Sequence, residues 1–238
     1  MMMMAIVVLT VSAALLAGAL WGIYGKLSVP LEGFLVAVAG GALIVSVVSE
    51  LIEPSMEHLS VWAAMGGMAA GAIVFTGADW LIARYWGDDS GGGLLAAITL
   101  DGIPENLALG VALIGAGALE VAALAGSIFL SNLPEAAGGA RDMASDGSGK
   151  LRIFGLWAAT AALLAAAAIA GNLLLAGVGK HILAIIRCFA AGAVVASLAT
   201  EVFPKAYNED RKLAGIATAL GLALAFLLGS LSKGSGGA

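Results

Sequence analysis

Apolar runs of about 20 residues recur eight times along this 238-residue chain, at about 1–24, 30–52, 61–85, 93–117, 121–140, 153–178, 182–204 and 213–231. A helix needs about 20 apolar residues to cross the hydrocarbon core, and at that depth a backbone must satisfy its own polar groups. The expected fold is therefore all-α: a polytopic membrane protein of eight transmembrane helices over residues 1–232, with a flexible tail at 233–238. Composition agrees, since 61% of residues are hydrophobic and 11% charged, against about 25% charged in soluble domains. The first run carries no basic leader and no small-residue cleavage site, so it reads as a retained span rather than a signal peptide.

Two of the runs break the apolar rule in the same way. The fourth reads Leu100-Asp-Gly-Ile-Pro-Glu105 near its middle, and the fifth reads Leu130-Ser-Asn-Leu-Pro-Glu135. An acidic residue at a helix centre costs about 2.5 to 3.5 kcal/mol on insertion scales, so acids at that depth mark an ion, proton or substrate path. Residues four apart share a helix face, which points Asp101 with Glu105 and Ser131 with Glu135. Each proline removes a donor and frees the carbonyl four residues back, so Pro104 and Pro134 add backbone oxygens to the same pocket. The two segments read as facing halves of one site.

The remaining composition narrows the function. A net charge of -5 with scattered basic residues argues against nucleic-acid partners. The single cysteine, Cys188, excludes an internal disulfide and reads as a small packing residue. His58 and His181 fall at helix ends and read as solvated. Gly18-x-x-x-Gly22 and Gly67-x-x-x-Gly71 are spacings that let helices approach closely.

Basic residues set the orientation. With the amino terminus outside, the inner loops collect Lys26, Arg84, Arg141, Lys150, Arg152, Lys205, Arg211 and Lys212, and the outer side only Lys180, Arg187 and Lys233. This imbalance places both termini outside. The longest polar loop is expected at Arg141 to Lys150. Glu50, Glu53 and Glu57 then lie at the outer end of span two, and Asp79 and Glu201 near the inner ends of spans three and seven. Outer acids, midplane acids and inner acids in that order describe a cation path, with Glu50, Asp79 and Glu201 its candidate members beyond the centre.

A long repeat accompanies these motifs. At an offset of 151, Ala39-x-Gly41-Ala42-x-x-x-Ser46-x-x-x-Glu50 falls on Ala190-x-Gly192-Ala193-x-x-x-Ser197-x-x-x-Glu201. An odd number of crossings separates the copies, so they run in opposite directions, the pattern of secondary transporters that hold substrate near the midplane.

With the paired Pro-Glu motifs, Ala78-Asp-Trp-Leu-Ile82, and Phe189-Ala-Ala-Gly-Ala193 running on to Glu201-Val-Phe-Pro204, the chain resembles the ZIP (Zrt/Irt-like) divalent metal transporters, in particular their bacterial branch. The resemblance implies an eight-helix bundle with outward termini, inverted repeats of spans 1–3 and 6–8 around central spans 4 and 5, a cell (plasma or inner) membrane location, and import toward the cytosol. It also implies a metal site between spans four and five, here Asp101, Glu105, Ser131, Asn132 and Glu135. Three features depart from the family pattern: Asp101-Gly102 stands where the family has His-Asn, Ser131 where it has His or Gln, and no acid stands around Ala162. One metal per cycle is the resulting expectation.

Such a site is no enzyme centre; its divalent ion is the substrate. Oxygen ligands suit Mn²⁺ or Mg²⁺, yet carboxylates also bind Zn²⁺, Fe²⁺ and Co²⁺, and affinity rises toward zinc. When empty, so many carboxylates together are expected to hold a proton, released as metal arrives. The expected partners are the lipid bilayer and the metal cation, with a homodimer as a further arrangement. The alternatives are an intramembrane acid-base hydrolase, which would need a peptide-admitting cleft, and a membrane protein that binds metal without transporting it.

Overall fold

A computed structural model describes residues 2–86, 91–114 and 121–235, and the backbone alone for 86, 91–98, 100, 101, 123 and 231–235. These residues are all-α. In chain order they form α1 (Met2–Tyr24), α2 (Val29–Ser46), a π-helical stretch (Val47–Ile52), α3 (Glu53–Met56), α4 (Val61–Trp86), α5 (Gly91–Ala112), α6 (Ala122–Ser145), α7 (Lys150–Leu175), α8 (Lys180–Ser197), a second π-helical stretch (Leu198–Val202), α9 (Phe203–Glu209) and α10 (Ala214–Ser235). Each apolar run of the sequence falls on one helix or one helix with its π-helical continuation. Residues 87–90 and 115–120, between the third, fourth and fifth apolar runs, lie outside the described residues.

Among the described residues, five helical segments are long and apolar enough to cross a membrane: Met2–Tyr24, Val29–Met56, Val61–Tyr85, Lys150–Leu175 and Lys180–Glu209. That is the make-up of a multi-pass membrane protein. The central pair, α5 and α6, carries Pro104 and Pro134 together with buried polar groups. The large side chains left exposed, such as Trp62, Ile73, Leu174 and Phe226, are apolar residues on the outward faces of α4, α7 and α10.

Packing follows the repeat. In α2 and α8 with their continuations, 61% and 56% of the most apolar window is buried, against 17% in α4. These two are the inner rods. α10 packs on α2 as α4 packs on α8, and α1 packs on α6 as α7 packs on α5. Glycine makes the approaches possible. A Cβ on Gly41 would lie 2.0 Å from the Thr218 carbonyl oxygen, and one on Gly192 would lie 1.9 Å from that of Met68. The Gly18 and Gly22 pair meets the Leu133 and Ala137 carbonyls of α6, and Gly71 meets the Phe189 carbonyl of α8. Cys188 is buried against Gly67, as a packing residue should be.

The two π-helical stretches sit at matching points of the repeat. In one the Glu53 N–H reaches the Val48 carbonyl, and in the other the Phe203 N–H reaches the Leu198 carbonyl, each five residues back. Pro54 and Pro204 follow at the start of the next helix, where a missing N–H costs least. Ser49 and Thr200 donate their hydroxyls to the Val45 and Ala196 carbonyls at 2.8 and 3.0 Å. Glu50 and Glu201 lie within these widened turns, which are frequent at functional positions.

The expected loop at Arg141 to Lys150 is mostly helix. α6 continues to Ser145 and closes at Gly147, whose φ of 86° is left-handed. The Ser148 N–H bonds the Met143 carbonyl at 3.0 Å and the Gly147 N–H that of Ala144 at 3.2 Å, the paired geometry of a Schellman cap. Arg141 is drawn into the helix by a buried partner that polarity alone does not reveal.

Candidate metal site

The site is built on one stripe of α6. Ser127, Ser131, Glu135 and Gly138 recur at helical spacing, and both ends of the stripe touch α2. Ser127 Oγ is 2.8 Å from Ser46 Oγ, whose hydroxyl also lies 3.1 Å from the Ala42 carbonyl. At the far end Arg141 Nη1 donates to Glu32 Oε2 at 2.7 Å. Ser46 to Glu32 and Ser127 to Arg141 each cover fourteen residues, about 21 Å of helix. The two helices therefore run antiparallel and in register, with Ser131 and Glu135 between the polar ties.

Within that interval Ser131 Oγ donates to Glu135 Oε1, one turn along. Ser131 is buried and Glu135 partly buried. Asn132 is 3% exposed, and its side-chain nitrogen meets no hydrogen-bond partner. The nitrogen and oxygen of an amide are exchangeable by a flip, so this group can turn its oxygen inward instead. Pro134 lies within α6, and α1 packs closely over the neighbouring Leu133 carbonyl through Gly18.

On α5, Glu105 and Asn106 are both buried, at 5% and 2% exposure. Asn106 Nδ2 donates to the Gly102 carbonyl at 2.9 Å, within the turn that contains Pro104. Gly102 and Gly110 press α5 onto α7: a Cβ on Gly102 would meet Leu164, and one on Gly110 the Ala168 carbonyl. Asn172, the one strongly polar residue of α7 beyond Arg152, donates to the Gly110 carbonyl at 3.0 Å. α5 also touches α6. The side chain of Asp101 lies outside the described residues.

Among the described residues no three His, Cys, Asp or Glu side chains gather into a metal-holding group. α5 carries Glu105, and α6 carries Ser131, Asn132 and Glu135, oxygen-bearing side chains of the type that suit hard or borderline divalent ions. Ala162 is exposed; the buried residues of that part of α7 are Thr160, Ala161 and Leu164.

The path candidates beyond the centre lie on separate elements. Glu50 is partly buried and lines a cleft of about 400 Å³ with Ser49, Glu53, Phe226 and Ser230. Arg187 feels the charge of Glu50 and donates to the Val111 carbonyl of α5 at 3.3 Å. Asp79 and Glu201 are partly buried on α4 and in the second π-helical stretch. Glu53 and Glu57 are exposed. His181 Nδ1 lies 3.0 Å from the His58 carbonyl in an exposed position.

Sequence reading missed the buried ion cluster. Glu32 is wholly enclosed and held by two cations, Arg141 and Lys205, the latter with Nζ 2.9 Å from Oε1. Lys205 also feels Glu135 electrostatically, so the cluster adjoins the stripe. One signal was available: Glu32 is the only charged residue between Lys26 and Glu50. No family model matches the chain, and no curated protein matches its sequence.

Proposed function

We propose that this protein is a divalent-cation transporter of the ZIP-like kind, moving one metal ion per cycle through a site between α5 and α6. The observation that carries the reading is the α6 stripe: a serine and a glutamate bonded to each other one turn apart, beside a buried amide whose nitrogen meets no hydrogen-bond partner, at a depth where such groups are costly unless used. Glu105, Glu135, Ser131 and Asn132 supply the shell, with Asp101 as the fifth donor. Zn²⁺ is the leading ion, with Mn²⁺, Fe²⁺, Co²⁺ and Mg²⁺ admitted by the same oxygens.

Eight crossings, with spans 1–3 inverted onto spans 6–8, supply the moving parts. The reading is supported by the matched contacts of α2 with α10 and α8 with α4, and by the π-helical stretches at equivalent positions. Two related halves around a fixed site are the arrangement that rocks between inward and outward access. Both termini are assigned to the outside. Three cation–aromatic pairs, Lys150 over Tyr24, Arg84 over Trp80 and Arg211 over Tyr207, all fall on the side that the basic residues mark as inner, where aromatic and basic anchors belong. Uptake toward the cytosol is the proposed direction.

Calorimetry on the purified protein tests the site. Zn²⁺ or Mn²⁺ should bind with a stoichiometry near one and lose binding in Glu135→Ala; unchanged binding in that variant would contradict the assignment.

A further inference from the structure

We propose that Glu32, Arg141 and Lys205 form an ionic latch that closes the bundle where α2, α6 and α9 meet, and that loosens when a cation occupies the site at Glu135. The second half rests on the function proposed above; the first does not.

The three residues come from three separate elements: the first turn of α2, the last third of α6, and α9 just beyond the second π-helical stretch. Each oxygen of Glu32 takes one cation, Oε2 from Arg141 at 2.7 Å and Oε1 from Lys205 at 2.9 Å. A carboxylate with no exposed surface is held in place by such partners, because leaving it unpaired in the interior is costly. Gly138 is part of the device: a Cβ there would lie 1.7 Å from Glu32 Oε1. The cations are less confined. Their side chains are 29% and 33% exposed, and Asp142, more exposed still, takes the other side of Arg141 at 2.9 Å. Arg141 and Lys205 can therefore swing to water while Glu32 cannot, which makes the cluster a fastening with one fixed and two movable parts.

Lys205 connects the latch to the site. Its ammonium is attracted by Glu32, Glu209 and Glu135 together. A divalent ion at Glu135 occupies one of those attractors and sets a like charge facing the lysine, and repulsion is strong where water is scarce. α9 is only seven residues long and follows a widened turn, so it is the piece that yields. Metal arrival thus weakens the fastening on the side proposed as inner, the side through which an imported ion must leave.

Hydrogen–deuterium exchange of residues 203–209, on the full chain in nanodiscs, tests this. Glu32→Gln without metal should exchange faster there by about tenfold, the signature of easier local opening. Wild type should accelerate on adding Zn²⁺ or Mn²⁺. Lys205→Gln keeps the Arg141–Glu32 pair and so guards against loss of fold; it should start faster than wild type and no longer respond to metal. Glu32→Gln indistinguishable from wild type would overturn the latch. Metal that binds by calorimetry yet leaves exchange at 203–209 unchanged would overturn the coupling. Wild type that binds neither ion would sink the transport reading and the coupling together, and the Glu32→Gln comparison would still decide the latch.

Discussion

Lys205 Nζ lies 2.9 Å from Glu32 Oε1, and the glutamate it meets has no exposed surface at all. Breaking a buried pair from one side leaves a charge without its partner, which costs about 3 to 5 kcal/mol in enclosed sites. Here the two cations are each about a third exposed and can turn to water, so the loss in Glu32→Ala should fall at or below about 3 kcal/mol. Lys205→Ala should cost less than Glu32→Ala, since Arg141 still serves the carboxylate. Thermal unfolding in detergent measures both, and the order Glu32 before Lys205 is the expected result.

The close helix approaches predict a sharp contrast among glycines. Gly41→Ala and Gly192→Ala would each drive a methyl group into a neighbouring backbone carbonyl, at 2.0 and 1.9 Å, and overpacking of this kind costs about 1 to 3 kcal/mol or more. Gly66 and Gly77 have nothing within 4 Å of a Cβ, so alanine there should be neutral or slightly stabilising, as in any helix interior. Equal melting temperatures across the four variants would contradict the packing described.

Much of this architecture was legible before any coordinates. Apolar run length placed the long helices along the chain, though not all of their ends, because lipid leaves a backbone few choices. Ala39 to Glu50 matched Ala190 to Glu201 because both copies meet their neighbours in the same way, and that likeness extends to the π-helical stretches. The Ser131 and Glu135 contact was legible from helical spacing. Glu32, Arg141 and Lys205 were not, because each lies beside a helix end where a charge usually meets water, and only the fold shows that α2, α6 and α9 close over them. The extent of α6 was misread for the same reason: Arg141 and Asp142 look like loop residues, and it is Gly147 that ends the helix.

Ser131 should matter through the carboxylate it orients. Removing the hydroxyl in Ser131→Ala frees Glu135 to rotate and takes away one oxygen donor, and loss of such a partner commonly weakens metal affinity by about 10 to 100-fold. Ser131→Thr keeps the hydroxyl and should stay near wild type. Calorimetric titration with Zn²⁺ and Mn²⁺ checks both; equal affinity in wild type and Ser131→Ala would show that the hydroxyl plays no part.

The most direct measurement is metal uptake into proteoliposomes by the purified full chain, followed with a lumenal metal-sensitive dye. Wild type should carry Zn²⁺ or Mn²⁺ inward at a saturable rate, and Glu105→Ala and Glu135→Ala should each reduce that rate to the level of empty liposomes while the protein stays folded. Uptake that persists unchanged in both variants would contradict an ion path through the paired glutamates of α5 and α6.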